Sequence, residues 1–421
     1  MASIRAITEI CKGGQAMKVL LTGAAGQLGH ALRKQVPAGV ELIASSRGGG
    51  DGLLALDLAD ASACSAAVHQ HRPDWVLNGG AYTAVDKAES EPELAHAVNG
   101  GAPRAFAEAL AETGGRMLQV STDFVFNGAQ GHPYRPEQPR DPLGIYGASK
   151  AAGEEAVKHV LGPSGRGLIL RTSWVMGPVG KNFALTMLRL HRDKPEIGVV
   201  ADQVGCPTST HTLAAACWRA IERASREAGA VSPIMDWSDT GDASWYDVAV
   251  PVDELSLELG VLEGMAELKP LTTADYPTPS QRPSYSLLDC PETRRVLELP
   301  GVPLAASAAA AAGGHGMSRE PVSVQRKRVE HRHLRTADQA QLTLKVTTVV
   351  GEALELEGKS ASIKSRSECI QFSNARSFSS CFSHICLAGS RHKFSIDKNK
   401  RKRDNYEPAP LRLERVGNGG E

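Results

Sequence analysis

Short aliphatic runs alternate along the first 304 residues with stretches in which hydrophobic residues recur every three or four positions. Residues 17–22 form the first run and predict a buried strand, after which Leu28, Leu32 and Val36 fall on one face of a helix. Further strands are predicted at residues 41–44, 74–78, 117–123 and 164–175. This alternation predicts an α/β fold, with a Rossmann-type doubly wound parallel sheet and a smaller α/β second domain.

Composition narrows the class of protein. The hydrophobic runs fall well short of the roughly 18 residues of a membrane-spanning helix, so we expect no membrane partner. Eight cysteines without a CxxC pair or a regular spacing favour a reduced, cytoplasmic protein. The basic run at residues 398–403 lacks interleaved aromatic residues, and we therefore expect no nucleic-acid partner.

A glycine-rich segment joins the first predicted strand to the first predicted helix. Gly23, Gly26 and Gly29 stand there in the spacing G-x-x-G-x-x-G. In a dinucleotide-binding turn the first glycine permits the tight bend, the second lets a pyrophosphate approach the backbone, and the third lets the helix pack on the strand. The helix N-terminus then faces the phosphates. The segment therefore predicts a dinucleotide cofactor.

The second predicted strand is followed by Ser46 and Arg47, where an acidic residue usually binds the adenosine ribose. A hydroxyl and a guanidinium suit a ribose 2′-phosphate, which favours NADPH over NADH. The alternative is that Arg47 is an exposed arginine in a glycine-rich loop. Asp57 and Leu58 follow another apolar run and are expected to border the adenine.

Two further predicted strands end in residues that suit a binding site. One is followed by Ala81, Tyr82 and Thr83, and the other ends in Thr122 and Asp123. Ligands of doubly wound sheets bind at the carboxyl edge of the strands. We therefore expect the first group along the cofactor, and the hydroxyl and carboxylate of the second group within the site.

Tyr146 and Lys150 stand four positions apart in a predicted helix, so their side chains lie on one face about one turn apart. We expect the ammonium group to stabilise a phenolate and to lower the pKa of Tyr146 from its ordinary value of about 10. Such a pair can exchange a proton with a substrate oxygen. Alone, the spacing is more typical of an ordinary surface helix; behind a dinucleotide turn it indicates acid–base chemistry.

Together these segments resemble the extended short-chain dehydrogenase/reductase family. Within that family the chain is similar to reductases that convert dTDP-4-dehydro-β-L-rhamnose into dTDP-β-L-rhamnose, a precursor of cell-surface polysaccharide. The resemblance extends from residue 17 to about residue 304. Its motifs are residues 22–29, 81–89, 121–126, 146–150, 171–175, 202–208, 243–246 and 276–283.

The resemblance implies roles for individual residues. Tyr146 would protonate the developing alkoxide while NADPH delivers hydride to C4 of the keto sugar, and Thr122 would hydrogen-bond the same oxygen. Lys150 would hold the nicotinamide ribose. Substrate contacts are expected at Thr122, Asp123 and Trp174. The expected cofactor contacts are Gly26, Gln27, Leu28, Asp57, Leu58, Ala81, Tyr82, Thr83, Tyr146 and Lys150.

Two residues of the second half have alternative interpretations. Trp174 either stacks on the sugar or fills the core. Arg282 either closes on the substrate diphosphate, whose oxygens match a guanidinium, or forms a salt bridge within its own loop.

NADPH is the expected cofactor, with NADH as the alternative because the family uses either. The family is also linked with Mg²⁺, for which the sequence offers no ligand residues, and we expect a homodimer. Two other functions remain open. One is a different nucleotide-sugar dehydrogenase, epimerase or dehydratase of the same fold, and the other is a non-catalytic regulatory subunit that binds the cofactor.

Composition changes abruptly after residue 304. From residue 305 onward the chain carries 20 Lys and Arg against 12 Asp and Glu, whereas the residues before it carry 27 against 35. This segment begins with an alanine-rich run at residues 305–312. Its composition predicts disorder or a non-native addition. The predicted organisation is an N-terminal extension (1–16), a dinucleotide-binding Rossmann domain (17–172), a mainly nucleotide-sugar-binding portion (173–304) and a low-complexity basic tail (305–421).

Overall fold

The computed structural model describes residues 15–258 and 261–302, together with five short strands outside these ranges. Contacts divide the chain into two units, one of residues 4–316 and one of residues 1–3 with 317–421. Most of the predicted extension and most of the predicted tail lie outside the described residues.

Strands and helices alternate through the first unit as the hydrophobic pattern predicts. In chain order the strands among the described residues are β1 (Cys11–Lys12), β2 (Gln15–Thr22), β3 (Val40–Ser46), β4 (Leu54–Ala55), β5 (Trp75–Asn78), β6 (Arg116–Thr122), β7 (Gly167–Thr172), β8 (Val175–Met176), β9 (Glu196–Val200), β10 (Val204–Gly205), β11 (Thr208–Ser209), β12 (Ile234–Asp236), β13 (Ala243–Ser244), β14 (Glu267–Leu271), β15 (Ala361–Ser362), β16 (Gln371–Phe372), β17 (His392–Phe394) and β18 (Leu413–Arg415). The last four belong to the second unit, where β15 pairs with β16 and β17 with β18, both antiparallel.

Ten α-helices lie within the described part of the first unit. They are α1 (Gln27–Lys34), α2 (Ala61–His71), α3 (Val85–Ala88), α4 (Pro92–His96), α5 (Ala102–Thr113), α6 (Ile145–Leu161), α7 (Phe183–Asp193), α8 (Thr210–Arg226), α9 (Trp245–Glu258) and α10 (Pro291–Leu297). None of these described helices is long and apolar enough to cross a bilayer.

The main sheet contains seven parallel strands in the order β12-β7-β6-β5-β2-β3-β4, and β1 pairs with β2 in the antiparallel sense. Leu20 in β2 is paired with Ile43 of β3 on one side and Val76 of β5 on the other. The chain moves outward from β2 to β4 and then returns to β5, so the strand order reverses beside β2. This is the topological switch point at which doubly wound sheets bind their ligands. The predicted fold class is confirmed.

Helices cover both faces of the sheet. Leu32 of α1 and Trp218 of α8 belong to the hydrophobic core on one face, while Phe106 of α5 and Leu161 of α6 belong to the core on the other. All four side chains are fully buried. Strands buried on both faces need near-continuous apolar runs, and this explains why the strands were readable from the sequence.

Residues after position 172 contribute both to the main sheet and to the smaller strand pairs outside it. β12 is an edge strand of the main sheet, and α8 packs on one face of that sheet. α7 and α9 pack against each other, and the same part of the chain contains three small strand pairs, β8–β11, β9–β14 and β10–β13. The single strand predicted over residues 164–175 is wrong. β7 ends at Thr172, and Trp174, with φ 45°, turns the chain before β8. A residue with a positive φ interrupts a strand, because its left-handed backbone conformation lies outside the β region.

Candidate active site

Gly23, Gly26 and Gly29 occupy the turn between β2 and α1. Gly23 has φ 69°, and a Cβ there would lie 2.7 Å from the Cα of Gly80. A Cβ at Gly29 would lie 2.2 Å from the carbonyl oxygen of Gly23. Both positions therefore exclude a side chain by close packing. Gly26 is exposed directly before α1, where the N–H groups of the first helical turn can face a phosphate.

Gln27 and Leu28 follow the turn and differ in what they can offer a cofactor. The Gln27 amide donates to the carbonyl oxygen of Val175 at 3.2 Å, and its Oε1 accepts from Asn182 at 3.3 Å. The turn is thereby connected to the second half of the unit. Leu28 is buried in the core, so only its backbone is available to a phosphate group.

The predicted adenosine contacts surround the same turn. Ala24 in the turn donates a backbone hydrogen bond to Ser45 at 2.9 Å, next to Ser46 and the exposed Arg47. Leu58 lies over the turn as well, because its Cδ1 would be 2.5 Å from a Cβ placed on Gly80. Asp57 is exposed beside it, with its Oδ1 accepting from the N–H of Ala59 at 3.0 Å. These four predicted residues form one surface region.

A buried chain of polar side chains crosses the carboxyl edge of the sheet, and sequence reasoning missed two of its three members. The Thr22 hydroxyl donates to Asn78, and the Asn78 amide donates to Gln119 at 2.7 Å. Thr22 also accepts from the N–H of Gly80 at 3.0 Å. The available signal was a polar residue in each apolar strand, at the end of β5 for Asn78 and in the middle of β6 for Gln119. These hydrogen bonds connect three neighbouring strands.

Asn99 is a further residue that sequence reasoning missed. It lies in the π-helical turn Ala97–Gly101, where its Oδ1 accepts from the N–H of Tyr82 at 2.9 Å. Its Nδ2 donates to the carbonyl oxygen of Tyr82 and to the Ser149 hydroxyl, both at 3.0 Å. The buried amide thus fixes the segment from Ala81 to Thr83 against α6. An asparagine within an otherwise helical stretch was the signal.

Thr122, Tyr146 and Lys150 are brought together where β6 ends and α6 begins. The Thr122 hydroxyl lies close enough to the phenol of Tyr146 to lower its pKa, and the Nζ of Lys150 donates to the carbonyl oxygen of Val120 at 2.6 Å. The ring of Phe124 meets that of Tyr146 edge-on, with centroids 5.5 Å apart. The structure therefore confirms that the three predicted residues are neighbours, and their catalytic roles remain a prediction.

The expected lowering of the Tyr146 pKa is wrong for this structure. Burial raises the pKa of Tyr146 to about 12, while the hydrogen bond from Thr122 acts in the opposite direction. Burial also lowers the pKa of Lys150 to about 8. Desolvation is the largest cause of both shifts, because it disfavours the charged form of each buried group. The phenol is consequently neutral at neutral pH, which is the state required of a proton donor.

Asp123 is completely buried next to the same group. Burial raises its pKa to about 6, and hydrogen bonds from Ser286 and Thr122 act in the opposite direction. Thr122 donates to its Oδ1 at 3.0 Å. Asp123 also raises the pKa of Tyr146 through its charge. The carboxylate therefore helps to keep the phenol protonated.

Trp174 is half-buried and stacks on Trp245, with ring centroids 3.6 Å apart and an angle of 8° between the planes. Gly205 lies so close that a Cβ there would be 2.5 Å from the Trp174 ring. Packing therefore occupies one face of this indole. Stacking of the sugar on that face is excluded, and contact with the substrate stays a prediction for the rest of the ring.

Arg282 forms an ion pair with Asp86 at 2.9 Å and donates to the carbonyl oxygen of Ser280 at 3.0 Å. A salt bridge was the alternative interpretation, but the partner lies in α3 and not in the loop of Arg282 itself. Ser280 also donates to Glu89 at 2.9 Å, and the same Oε1 accepts from the N–H of Ile145. The loop with Arg282 is thus connected to the first residue of α6. Asp86 occupies one Nη2 contact, and the Nε of Arg282 has no hydrogen-bond partner among the described residues, so contact with a diphosphate stays a prediction.

No group of three or more His, Cys, Asp or Glu side chains that could hold a metal ion occurs among the described residues. The Mg²⁺ implied by the resemblance therefore has no supporting ligand set in this part of the chain.

Known proteins share this fold and these segments. A family profile described as "RmlD substrate binding domain" matches residues 17–309. A dTDP-4-dehydrorhamnose reductase from Streptomyces griseus is 41% identical over 271 residues, which cover 64% of this chain and 84% of that protein.

Two crystal structures agree with the sequence comparison. A dTDP-4-dehydrorhamnose reductase from Clostridium acetobutylicum has a TM-score of 0.61 and 33% identity, covering 69% of this chain and 96% of that chain. One from Bacillus anthracis, in complex with NADP, has a TM-score of 0.60 and 30% identity, covering 70% and 98%. From its sheet, its Thr-Tyr-Lys arrangement and these relatives, the chain belongs to the dTDP-4-dehydrorhamnose reductase family.

Proposed function

We propose that this protein reduces the C4 keto group of dTDP-4-dehydro-β-L-rhamnose with NADPH and releases dTDP-β-L-rhamnose. The ketone carbon gains a hydride and its oxygen gains a proton, so the products are an alcohol and NADP⁺. The relatives named for this reaction support the assignment, since they match the chain over most of their length.

The observation that carries the proposal is the position of three side chains at the edge of the sheet that also bears the dinucleotide turn. Thr122 ends β6, and Tyr146 and Lys150 lie in the first turns of α6, while Gly23 directly follows the end of β2 at the same carboxyl edge. A ketone oxygen between the hydroxyls of Thr122 and Tyr146 would receive a hydrogen bond from one and a proton from the other. Lys150 would hold the ribose hydroxyls of the cofactor.

The residues around the turn fit a dinucleotide. The close-packed Gly23 and Gly29 leave room for a pyrophosphate at Gly26, and Arg47 is exposed where an adenosine 2′-phosphate would lie. NADPH supplies the hydride when it is bound. The Bacillus anthracis relative was crystallised with NADP, which supports the preference for NADPH over NADH.

On the substrate side we assign Asp123, Trp174 and Arg282 to the nucleotide sugar, in addition to Thr122. Asp123 is buried beside the reacting hydroxyls and can accept hydrogen bonds from the sugar. Arg282 would bind the diphosphate through the N–H donors that Asp86 does not use.

We also propose a cytoplasmic homodimer. Four cysteines in the described residues are free and buried, which suits a reducing compartment. Light scattering of the purified protein measures the oligomeric state, and a monomer at working concentration would exclude the homodimer.

The direct experiment follows the absorbance of NADPH while purified protein acts on dTDP-4-dehydro-β-L-rhamnose, with product identified by mass spectrometry. Consumption of NADPH that depends on the sugar nucleotide is expected. Folded protein that binds NADPH but consumes none would contradict the proposal and favour a regulatory subunit. Conversion of a nucleotide sugar without net oxidation of NADPH would favour an epimerase or dehydratase.

A further inference from the structure

A buried ion pair lies one helical turn beyond Lys150. Glu154 follows Lys150 by four positions in α6, so the two side chains share a face of the helix. Its Oε1 accepts from the Nε of Arg171 at 2.9 Å, and its Oε2 accepts from Nη2 at 2.8 Å. The side chains are only 2% (Arg171) and 1% (Glu154) exposed. This two-point contact fixes the orientation of the carboxylate as well as its position.

Glu154 is also connected to the strand that carries Thr122. The hydroxyl of Ser121, the preceding residue in β6, donates to Glu154 Oε1 at 2.6 Å. Arg171 in β7 donates in turn to the carbonyl oxygen of Pro136 at 2.9 Å. The carboxylate on α6 is therefore held by two neighbouring strands.

Stability alone is a weak reason for burying these charges. Desolvation offsets most of the attraction, and apolar replacements of such pairs are often neutral or stabilising. The Nη1 of Arg171 also lies 4.0 Å from Asp236, whose buried carboxyl has a pKa well above its ordinary value because of desolvation. The ion pair is expected to add little to the free energy of unfolding, and it joins the helix that carries Tyr146 and Lys150 to β7. This combination indicates a role in the site.

Lys150 is the group on which Glu154 can act. Burial lowers the pKa of Lys150, and the Glu154 carboxylate raises it. The Nζ of Lys150 donates to Val120, one residue before Ser121 in β6. The other titratable or charged groups that face this pair from the surrounding elements are Tyr146, Asp123, Arg140, Arg171 and Asp236.

We propose that Glu154, held by Arg171 and Ser121, is a positioning residue that keeps the Lys150 ammonium protonated and directed along the cofactor edge of the sheet. Burial favours loss of the Lys150 proton, and the negative charge of the Glu154 carboxylate opposes that loss. Lys150 can therefore be both buried and cationic. The inference rests on the proposed function, because that function places Lys150 against the cofactor ribose.

The pH profile of kcat/KM separates this role from a purely structural one. Activity of the wild type is expected to fall on the alkaline side as Lys150 loses its proton. Glu154→Gln retains the shape of the side chain and removes its charge, so this alkaline limb should move to lower pH by about one unit. Glu154→Asp, which keeps the charge, should bring the limb back toward the wild-type position.

Glu155→Gln is the matched control. Glu155 is the next carboxylate along α6, but its side chain is 57% exposed and pairs with Arg140. Its loss should leave the alkaline limb in place. Lys150→Arg identifies the limb, because a guanidinium does not titrate in this range, and adding Glu154→Gln to that variant should shift no limb. An unmoved limb in Glu154→Gln, with only kcat reduced, would overturn the proposal.

Glu154→Gln leaves Arg171 buried without its partner, which threatens folding. The double variant Glu154→Gln/Arg171→Met removes both charges and is expected to shift the limb in the same direction, since Glu154 is the charge that raises the pKa of Lys150. An unmoved limb in this variant overturns the proposal equally.

The affinity for NADPH at increasing pH, followed by nicotinamide fluorescence, provides the same comparison without turnover. A shift of that curve in the variants, in a protein that reduces no sugar nucleotide, would support the role of Glu154 and contradict the proposed function. An unshifted curve in an active enzyme would support the proposed function and contradict the role of Glu154.

Discussion

A neutral phenol beside a hydroxyl is the chemical centre of the candidate site. Tyr146 is held protonated by burial and by the charge of Asp123, while the nearby Thr122 hydroxyl acts on its pKa in the opposite direction. The direction of the pKa shift matters for the reaction, because reduction consumes a proton whereas oxidation would require a base. The protonated phenol is the form that can donate a proton to a ketone oxygen.

Tyr146→Phe tests this assignment at the level of a single oxygen atom. The variant keeps the ring that packs on Phe124 and removes the proton, so kcat is expected to fall about 10²- to 10⁴-fold. NADPH affinity should change little, and fluorescence titration measures it. Wild-type turnover in a folded Tyr146→Phe protein would show that another group donates the proton.

Arg47 is expected to determine the preference between cofactors. Arg47→Ala removes the exposed guanidinium proposed to bind the 2′-phosphate, so KM for NADPH should rise about tenfold while KM for NADH stays unchanged. Arg33→Ala, in which another exposed arginine on α1 is removed, is the control. Equal effects on both cofactors would contradict the assignment.

At the scale of elements, the start of α6 packs with almost no space against the turn that follows β6. A Cβ at Gly147, next to Tyr146, would lie 2.2 Å from the carbonyl oxygen of Phe124. This contact between two backbones sets the distance between Tyr146 and Thr122. A glycine is required because any side chain would force the helix outward.

Gly147→Ala is therefore expected to lower kcat/KM by an order of magnitude or more, since a displacement of about 1 Å at a catalytic group costs roughly 10²-fold. Gly162→Ala is the matched control at the other end of α6, where the nearest atom to an added Cβ, Lys158 Cγ, is 3.9 Å away. That variant should keep full activity. Steady-state kinetics and circular dichroism of both variants distinguish displacement from unfolding, and equal kinetics would show that α6 tolerates the shift.

A second buried pair joins α7 to α9. The Nδ1 of His191 accepts from the N–H of Ala266 at 3.1 Å, so the ring proton lies on Nε2, which faces Asp253. Both side chains are fully buried, and burial lowers the pKa of His191 and raises that of Asp253 to about 7. The two helices are thus connected by a polar contact away from the candidate site.

Asp253→Leu is expected to destabilise the fold by about 1–3 kcal/mol, because it leaves the Nε2 proton buried without a partner. Replacing both residues by Leu should recover most of this free energy of unfolding, since apolar pairs often replace buried polar pairs without loss. Urea denaturation measures all four proteins of the cycle. Additive costs in the double variant would show that the two side chains do not interact.

At the scale of the molecule, the sheet, its two cores and every candidate site residue lie within residues 15–302. The segment from residue 305 onward differs from these residues in composition and charge. Activity is therefore expected to belong to the first unit.

A chain that ends at residue 304 is expected to retain the kcat/KM and the melting temperature of the full chain. A chain that ends at residue 289 is the control, because it loses α10, whose Leu297 is fully buried and whose Arg294 donates to the carbonyl oxygens of Ser238 and Asp239 at 3.0 Å. That protein should be strongly destabilised. Loss of activity in the chain that ends at residue 304 would assign a role to the tail.

Much of this molecule could be predicted from patterns that are local in the chain. Strands buried on both faces must be apolar, a dinucleotide turn needs glycine where backbones touch, and a helix places Tyr146 and Lys150 on one face. The fold class, the turn and the Thr-Tyr-Lys set therefore followed from the sequence alone. The end of β7 did not, because Trp174 adopts φ 45° only through its packing on Trp245 and Gly205.

The sequence by itself determined the elements, the cofactor turn and the residue types of the chemistry, because these depend on neighbours within one or two turns of the chain. Tertiary structure decided the protonation state and the partners. Burial reversed the expected shift of the Tyr146 pKa, Arg282 pairs with Asp86 of α3, and Glu154 meets Arg171 from another strand. Desolvation and contacts between distant segments exist only once the chain has folded.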